Sequence, residues 1–154
     1  MLPRGGLIWR AEELGRTACE HYAGGDYVAA IVLTRALAET AAAAWYLKEL
    51  IERQLSSGVE MDLDDQMMRL LMGHKNLADM PQAINVLTFL DRVDKLVPGI
   101  RKSYGTLSEY SHPNWHGTAL AYSENDRERI LTNFGRGYRD PKRHASLGLN
   151  WAII

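Results

Sequence analysis

The sequence predicts a mainly α protein, a bundle of helices with a short β-hairpin after residue 117. Three observations carry this. Residues 27–55 are rich in alanine and leucine and contain neither glycine nor proline. Residues 7–23 and 82–97 repeat apolar side chains at the three-to-four spacing of a helix face. Alternating, β-branched and aromatic residues cluster only after Gly117, around a polar stretch that reads as a turn.

The totals set the frame. The chain has 154 residues, of which 46% are hydrophobic. That suits one domain, residues 1–154, with a real core. Eighteen basic residues face nineteen acidic ones. No global field draws in nucleic acid or an anionic membrane, so any such binding needs a local patch. One cysteine, Cys19, excludes an internal disulfide and fits a cytoplasmic location, with a buried thiol expected. The start, MLPRGGLIWRAEELG, lacks the apolar core of a signal peptide. Residues 27–47 are apolar enough to raise a membrane span, but Arg35 and Glu39 lie near their middle. Each would cost about 2.5–3.5 kcal/mol at a bilayer centre, so the expectation is a buried helix and no membrane partner.

The elements follow in order. A first helix over 7–23 presents Ile8, Ala11, Leu14, Ala18 and Tyr22. Gly24-Gly25 ends it, and Asp26 stands where an N-cap belongs. The second helix, Tyr27 to about Leu55, is roughly 43 Å long. It is apolar nearly all round, as a helix inside a bundle is. Residues 56–65 break the chain, and a short helix is expected around Gln66–Met72. A third core helix over 82–97 carries Ile84, Leu87, Leu90, Val93 and Val97. Pro98-Gly99 interrupts it. Residues 100–111 continue as a kinked extension or a new helix, ending near His112 because Pro113 disfavours helical backbone before it. TALAY and RILTNF then read as hairpin strands joined by SENDRE. A competing reading starts a helix at Ser123, with Asp126 completing a capping box. GRGYRDPKRH reads as a basic loop. The last residues, ASLGLNWAII, either dock into the core or belong to a longer helix cut short at the C-terminus.

The chemistry concentrates in YGTLSEYSHPNWHG, residues 104–117. On the second helix, Arg35 and Glu39 share one face with Val28, Val32, Ala42 and Tyr46. A charged pair among core residues needs further hydrogen bonds. On the helix ending at His112, Arg101, Ser108 and His112 share a face with Gly105 beside them, and Tyr104 lies on the neighbouring, more apolar face. We therefore expect Arg35, Glu39, Tyr104, Ser108 and His112 to meet between two helices. The bland reading is a polar tie that sets helix register. The functional reading gives His112 acid–base work and Arg35 or Arg101 a phosphate contact, with Asn114, Trp115 and His116 touching ligand on the adjoining turn.

Other chemistries have thinner support. His112 and His116 are four apart, but Pro113 breaks the helix that would align them, so no metal site is expected. No cofactor motif is present either. Ser108 with His112 lacks a nucleophile elbow, and the glycine pairs are not phosphate loops. In the basic loop, Arg136, Arg139, Lys142 and Arg143 oppose only Asp140, with Tyr138 and His144 interleaved. Such a loop grips an RNA backbone or is simply solvated.

LTRALAET on the early helix, followed by YGTLSEYSHPNWHGT, gives the pattern Arg-x-x-x-Glu, then Tyr-x-x-Leu-Ser-x-x-x-His-Pro. This resembles a group of mostly bacterial helical proteins placed near the HEPN superfamily. The resemblance spans roughly residues 25–135. It implies an antiparallel HEPN-like bundle of four or more helices, often a homodimer. Many HEPN proteins are metal-independent RNases in which an Arg lies four to six residues before a catalytic His. Here Arg101 lies eleven residues before His112, so the cation would be Arg35 or Arg101. Other HEPN proteins are binding or assembly modules. Two expectations follow. One is RNA or nucleotide binding, with His112 and Arg35 catalytic and Glu39, Arg101, Tyr104, Ser108, Asn114 and His116 around the ligand. The other is a non-catalytic protein-interaction or dimerisation module in which the same cluster is structural.

Overall fold

The computed structural model describes residues 4–57, 63–138 and 140–152. Among them are seven α-helices and one two-stranded antiparallel sheet. The chain divides into two compact units that share the first two helices. Unit 1 comprises residues 1–11 and 39–101; unit 2 comprises 12–38 and 102–154.

Helix α1 runs Arg4–Gly24. It closes as the glycine pair demands: Gly25 adopts φ +78°, its N–H donates to the Tyr22 carbonyl at 3.2 Å, and the Asp26 N–H donates to the His21 carbonyl at 2.9 Å. This double bond pattern satisfies the last carbonyls of the helix. The Asp26 carbonyl then accepts from Ala30 and opens α2, Tyr27–Ser57. Ala18 of α1 is buried, and Cys19, one helical step round, is exposed rather than buried as expected.

α2 is long and apolar enough to cross a membrane by length and composition. A core helix passes the same test, and Ala30, Ile31, Thr34 and Ala38 are buried in unit 2, while Thr40, Ala42, Tyr46, Leu47 and Leu50 are buried in unit 1. Burial is not uniform round the helix, however. Val32, Trp45, Ile51 and Leu55 remain exposed.

In unit 1, α3 spans Leu63–Leu71 and α4 spans Val86–Asp94. Tyr46 organises this unit. Its ring lies 4.9 Å from Phe89, its hydroxyl donates to Gln66, and the Arg92 guanidinium sits over it while bonding Glu49 at 3.1 Å. α4 is shorter than the helix expected over 82–97. Asn85 caps it by accepting from the Leu87 N–H, which leaves Ile84 ahead of the helix. At the other end Asp94 accepts from the Gly99 and Arg101 N–H groups at 3.0 and 2.9 Å. With Gly99 at φ +101°, that carboxylate ends α4 and starts α5, Ile100–Tyr110, as a new helix.

In unit 2, Ile31, Leu107 and Tyr110 form the buried centre, with Tyr22, Leu120 and Leu147 packed on it. The hairpin exists, but its first strand differs from the one expected. TALAY is helical: a π-helical turn Trp115–Ala119 runs into α6, Leu120–Tyr122. The strands are β1, Ser123–Asp126, and β2, Leu131–Phe134, with Ser123 opposite Phe134 and Asp126 opposite Leu131. Asp126 accepts from the Glu128 and Arg129 N–H groups, so it shapes the hairpin turn rather than capping a helix. The expected basic loop is also shorter. After a 3₁₀ turn, Arg136–Tyr138, helix α7 begins at Pro141 and runs to Ala152. Asp140 caps it by accepting from Lys142 and Arg143, and proline at the first helical position fits without strain. Arg139 lies outside the described residues.

Candidate functional site

The Arg35 guanidinium meets Tyr104 in unit 2. Nη2 donates to the tyrosine hydroxyl at 2.9 Å, and the guanidinium carbon lies 5.3 Å from the ring centroid. Tyr104 is buried, which holds the hydroxyl and the ring in one orientation. Ser108, one turn further along α5, is half-buried, and its hydroxyl makes no hydrogen bond among the described residues. His112 is exposed, two residues beyond the end of α5. Its ring has no hydrogen bond or ion pair among the described residues.

Arg101 donates from Nε to Asp91 at 3.0 Å within unit 1. Glu39 is half-buried on α2, one helical turn beyond Arg35. The structure therefore joins Arg35 to Tyr104 but adds neither the Ser108 hydroxyl nor the His112 ring to that contact.

The turn after α5 is built by Asn114. Its side-chain oxygen accepts from the His116 and Gly117 N–H groups at 3.0 and 3.1 Å, and its amide donates to Glu109 at 2.7 Å. His116 Nδ1 lies 4.0 Å from the same carboxylate. Gly117 is buried so closely against the Tyr110 and His112 carbonyls that a side chain would collide with both. This fixed turn carries two outward groups: Trp115, which is 61% exposed, and His112.

Sequence reasoning missed the other end of this polar crowd. His144 is buried on α7 rather than exposed in a basic loop. Its ring stacks on Tyr27 at 5.5 Å and meets Tyr110 edge-on at 5.7 Å, while His116 meets Tyr110 from another direction at 5.8 Å. Nδ1 lies 2.6 Å from the Asp140 carbonyl oxygen. That oxygen only accepts, so Nδ1 is the donor of this bond. Nε2 is buried without a hydrogen-bond partner. The signal available in the sequence was Asp140-Pro141, an N-cap followed by proline at the first helical position.

The basic residues divide accordingly. Lys142 and Arg143 are exposed on the first turn of α7, where the helix dipole does not favour cations. Arg136 pairs with Asp26 at 3.5 Å. No group of three or more His, Cys, Asp or Glu residues suited to a metal occurs among the described residues. Comparisons of the chain with protein-family models, with curated proteins and with solved structures return no match.

Proposed function

We propose that this chain is a non-catalytic interaction module, HEPN-like in pattern, cytoplasmic, and docking a protein partner through the turn at residues 112–116. The observation that carries the reading is the commitment of Arg35 to Tyr104. Tyr104 and His112 are eight positions apart in the chain, about 12 Å of rise at helical pitch. Metal-independent RNA cleavage needs the base and the cation at the same phosphate. A guanidinium held at Tyr104 serves as a clasp between α2 and α5 instead. Trp115, exposed on a turn pinned by Asn114, is the type of anchor that dominates protein interfaces.

The first partner to test is a second copy of the chain. Sedimentation across a concentration series is expected to show a dimer that Trp115→Ala weakens. Incubation with a mixed RNA pool without metal is expected to leave the RNA intact. Cleavage that disappears in both His112→Ala and Arg35→Lys, with each variant still folded, would overturn the reading in favour of an RNase. One observation favours a second reading, RNA or nucleotide binding without cleavage: Trp115 stands between His112 and His116 as a stacking surface for bases. Salt-sensitive binding of a single-stranded oligonucleotide, lost in Trp115→Ala, would select it.

A further inference from the structure

Five of the chain's six methionines fall in residues 61–80, and the stretch 60–82 holds five acidic residues against two basic ones. The fold turns this composition into a surface. On α3, Leu63, Gln66, Met67 and Leu70 are half-buried, and Gln66 accepts from the Tyr46 hydroxyl, so this side of the helix faces the rest of unit 1. Met68, Leu71 and, just past the helix, Met72 lie on the other side. Asp64, one turn before Met68, and Asp65 are exposed there too. Gly73 lies so close to the Arg69 carbonyl and to Ala83 that a side chain would collide with both, and the chain folds back. The His74 N–H donates to the Pro81 carbonyl at 2.9 Å, and Arg69 Nε donates to the Gln82 carbonyl at 3.2 Å. These bonds hold the loop carrying Leu77, Asp79 and Met80 at the end of α3. Met68, Leu71, Met72, Leu77 and Met80 are each 42–53% exposed.

We propose that this face docks a basic amphipathic α-helix of a partner protein. Single exposed apolar residues are ordinary on a soluble surface, but five at one end of a short helix mark an interaction site. Methionine points to the kind of partner. Its side chain is unbranched and polarisable, and it adapts to helix faces of different shape. Charge points to the sign. Asp64, Asp65 and Asp79 stand among the apolar side chains, while Arg69 is turned to the Gln82 carbonyl and to Asp65. Lysines and arginines beside the apolar stripe of an incoming helix meet those carboxylates. The same carboxylates repel nucleic acid and an anionic membrane surface. A helix suits the face better than an extended strand, because α3 offers side chains and no sheet edge. Docking covers a helix that has little packing of its own, so α3 becomes firmer with the partner bound. None of these residues belongs to the turn at 112–116, and the proposal does not rest on that interface.

The test uses the whole chain with isotope-labelled methionine methyl groups, followed by NMR. The probe is a short peptide of leucine and lysine set at helical spacing. Its controls are the same peptide with glutamate for lysine, and the same composition shuffled so that no apolar face forms. The basic peptide is expected to shift the Met68, Met72 and Met80 methyl signals saturably and to raise the hydrogen-exchange protection of α3. The glutamate peptide is expected not to bind, and the shuffled one to bind less tightly. With Met80 as the reporter, the double variant Met68→Gln, Met72→Gln is expected to weaken binding by about tenfold or more. Leu77→Gln lies in the loop and tests the same surface without touching α3; it is expected to weaken binding too. Asp64→Asn with Asp79→Asn is expected to weaken it chiefly at low salt. Trp115→Ala is expected to change nothing. No saturable shift, equal binding of the glutamate or shuffled peptide, unchanged affinity in both apolar variants, or loss of binding in Trp115→Ala would each overturn the proposal. So would the same methyl shifts on raising the protein concentration alone, with the peptide unable to compete, because the face would then belong to a second copy.

Discussion

His144 and His112 are the same residue type in opposite surroundings, and their substitutions separate packing from exposure. His144 is 1% exposed and touches Tyr27 and Tyr110. His144→Ala opens a cavity between those rings and is expected to cost about 2–4 kcal/mol. His112→Ala removes an exposed ring and is expected to change stability by no more than about 0.5 kcal/mol. Denaturant melts of the two variants measure both, and equal losses would contradict the placement of α7. Tyr22 adds a pH dependence. Burial raises its phenol above the ordinary value of 10.0, the hydrogen bond with Thr34 lowers it, and Cys19 adds a smaller upward push. A raised folded-state value means that the unfolded chain ionises first. The contribution of Tyr22 to stability is therefore complete below pH 10.0 and falls as pH rises through its folded value. Tyr22→Phe loses the 3.3 Å contact with Thr34, yet its melting temperature is expected to fall less than wild type between about pH 9 and about pH 11.

At the scale of elements, the helices were legible where their ends carried local chemistry. Gly24-Gly25 and Asp26 fixed the α1–α2 junction because glycine accepts the left-handed turn and the caps are neighbours in sequence. Pro113 marked the end of α5 for the same reason. TALAY was misread because alternation of apolar residues over five positions does not distinguish a strand from a tight helical turn. What decides it is Asn114, whose side chain takes the His116 and Gly117 N–H groups and starts a helical path. The Arg35–Tyr104 contact drew on residues whose helical spacing could be counted. The burial of His144 depends on where α7 lands, which no local pattern encodes. The turn at 113–117 offers its own test. Asn114→Ala removes a cap and is expected to cost about 1 kcal/mol. Gly117→Ala drives a methyl into two carbonyls and is expected to cost more, about 2 kcal/mol or above. Thermal melts that rank the two in the reverse order would show that the turn is not held against those carbonyls.

Across the whole molecule, stability is unevenly placed. α2 serves both units, residues 27–38 in one and 39–57 in the other, and supplies buried side chains from Ala30 to Leu50. α3 is the opposite case: nine residues, none buried, with Met68 and Leu71 exposed. Its described side-chain ties are the bond from Tyr46 to Gln66, the ion pair of Arg69 with Asp65 within the helix, and the bond from Arg69 to the Gln82 carbonyl. A nine-residue helix has little stability of its own in water, and so few buried contacts give it little from packing. Local opening of α3 therefore exposes almost no apolar surface and should precede global unfolding. Native-state hydrogen exchange is expected to rank the α3 amides well below those of α2 from Ala30 to Leu50 and of α5 from Tyr104 to Tyr110. Arg69→Ala is expected to lower α3 protection further while leaving the α2 and α5 amides unchanged. If α3 instead exchanges together with α2, the helix opens only with the rest of unit 1, and its exposed Met68 and Leu71 are covered by something that the isolated chain supplies in solution, a second copy being the first to test by repeating the exchange at low concentration.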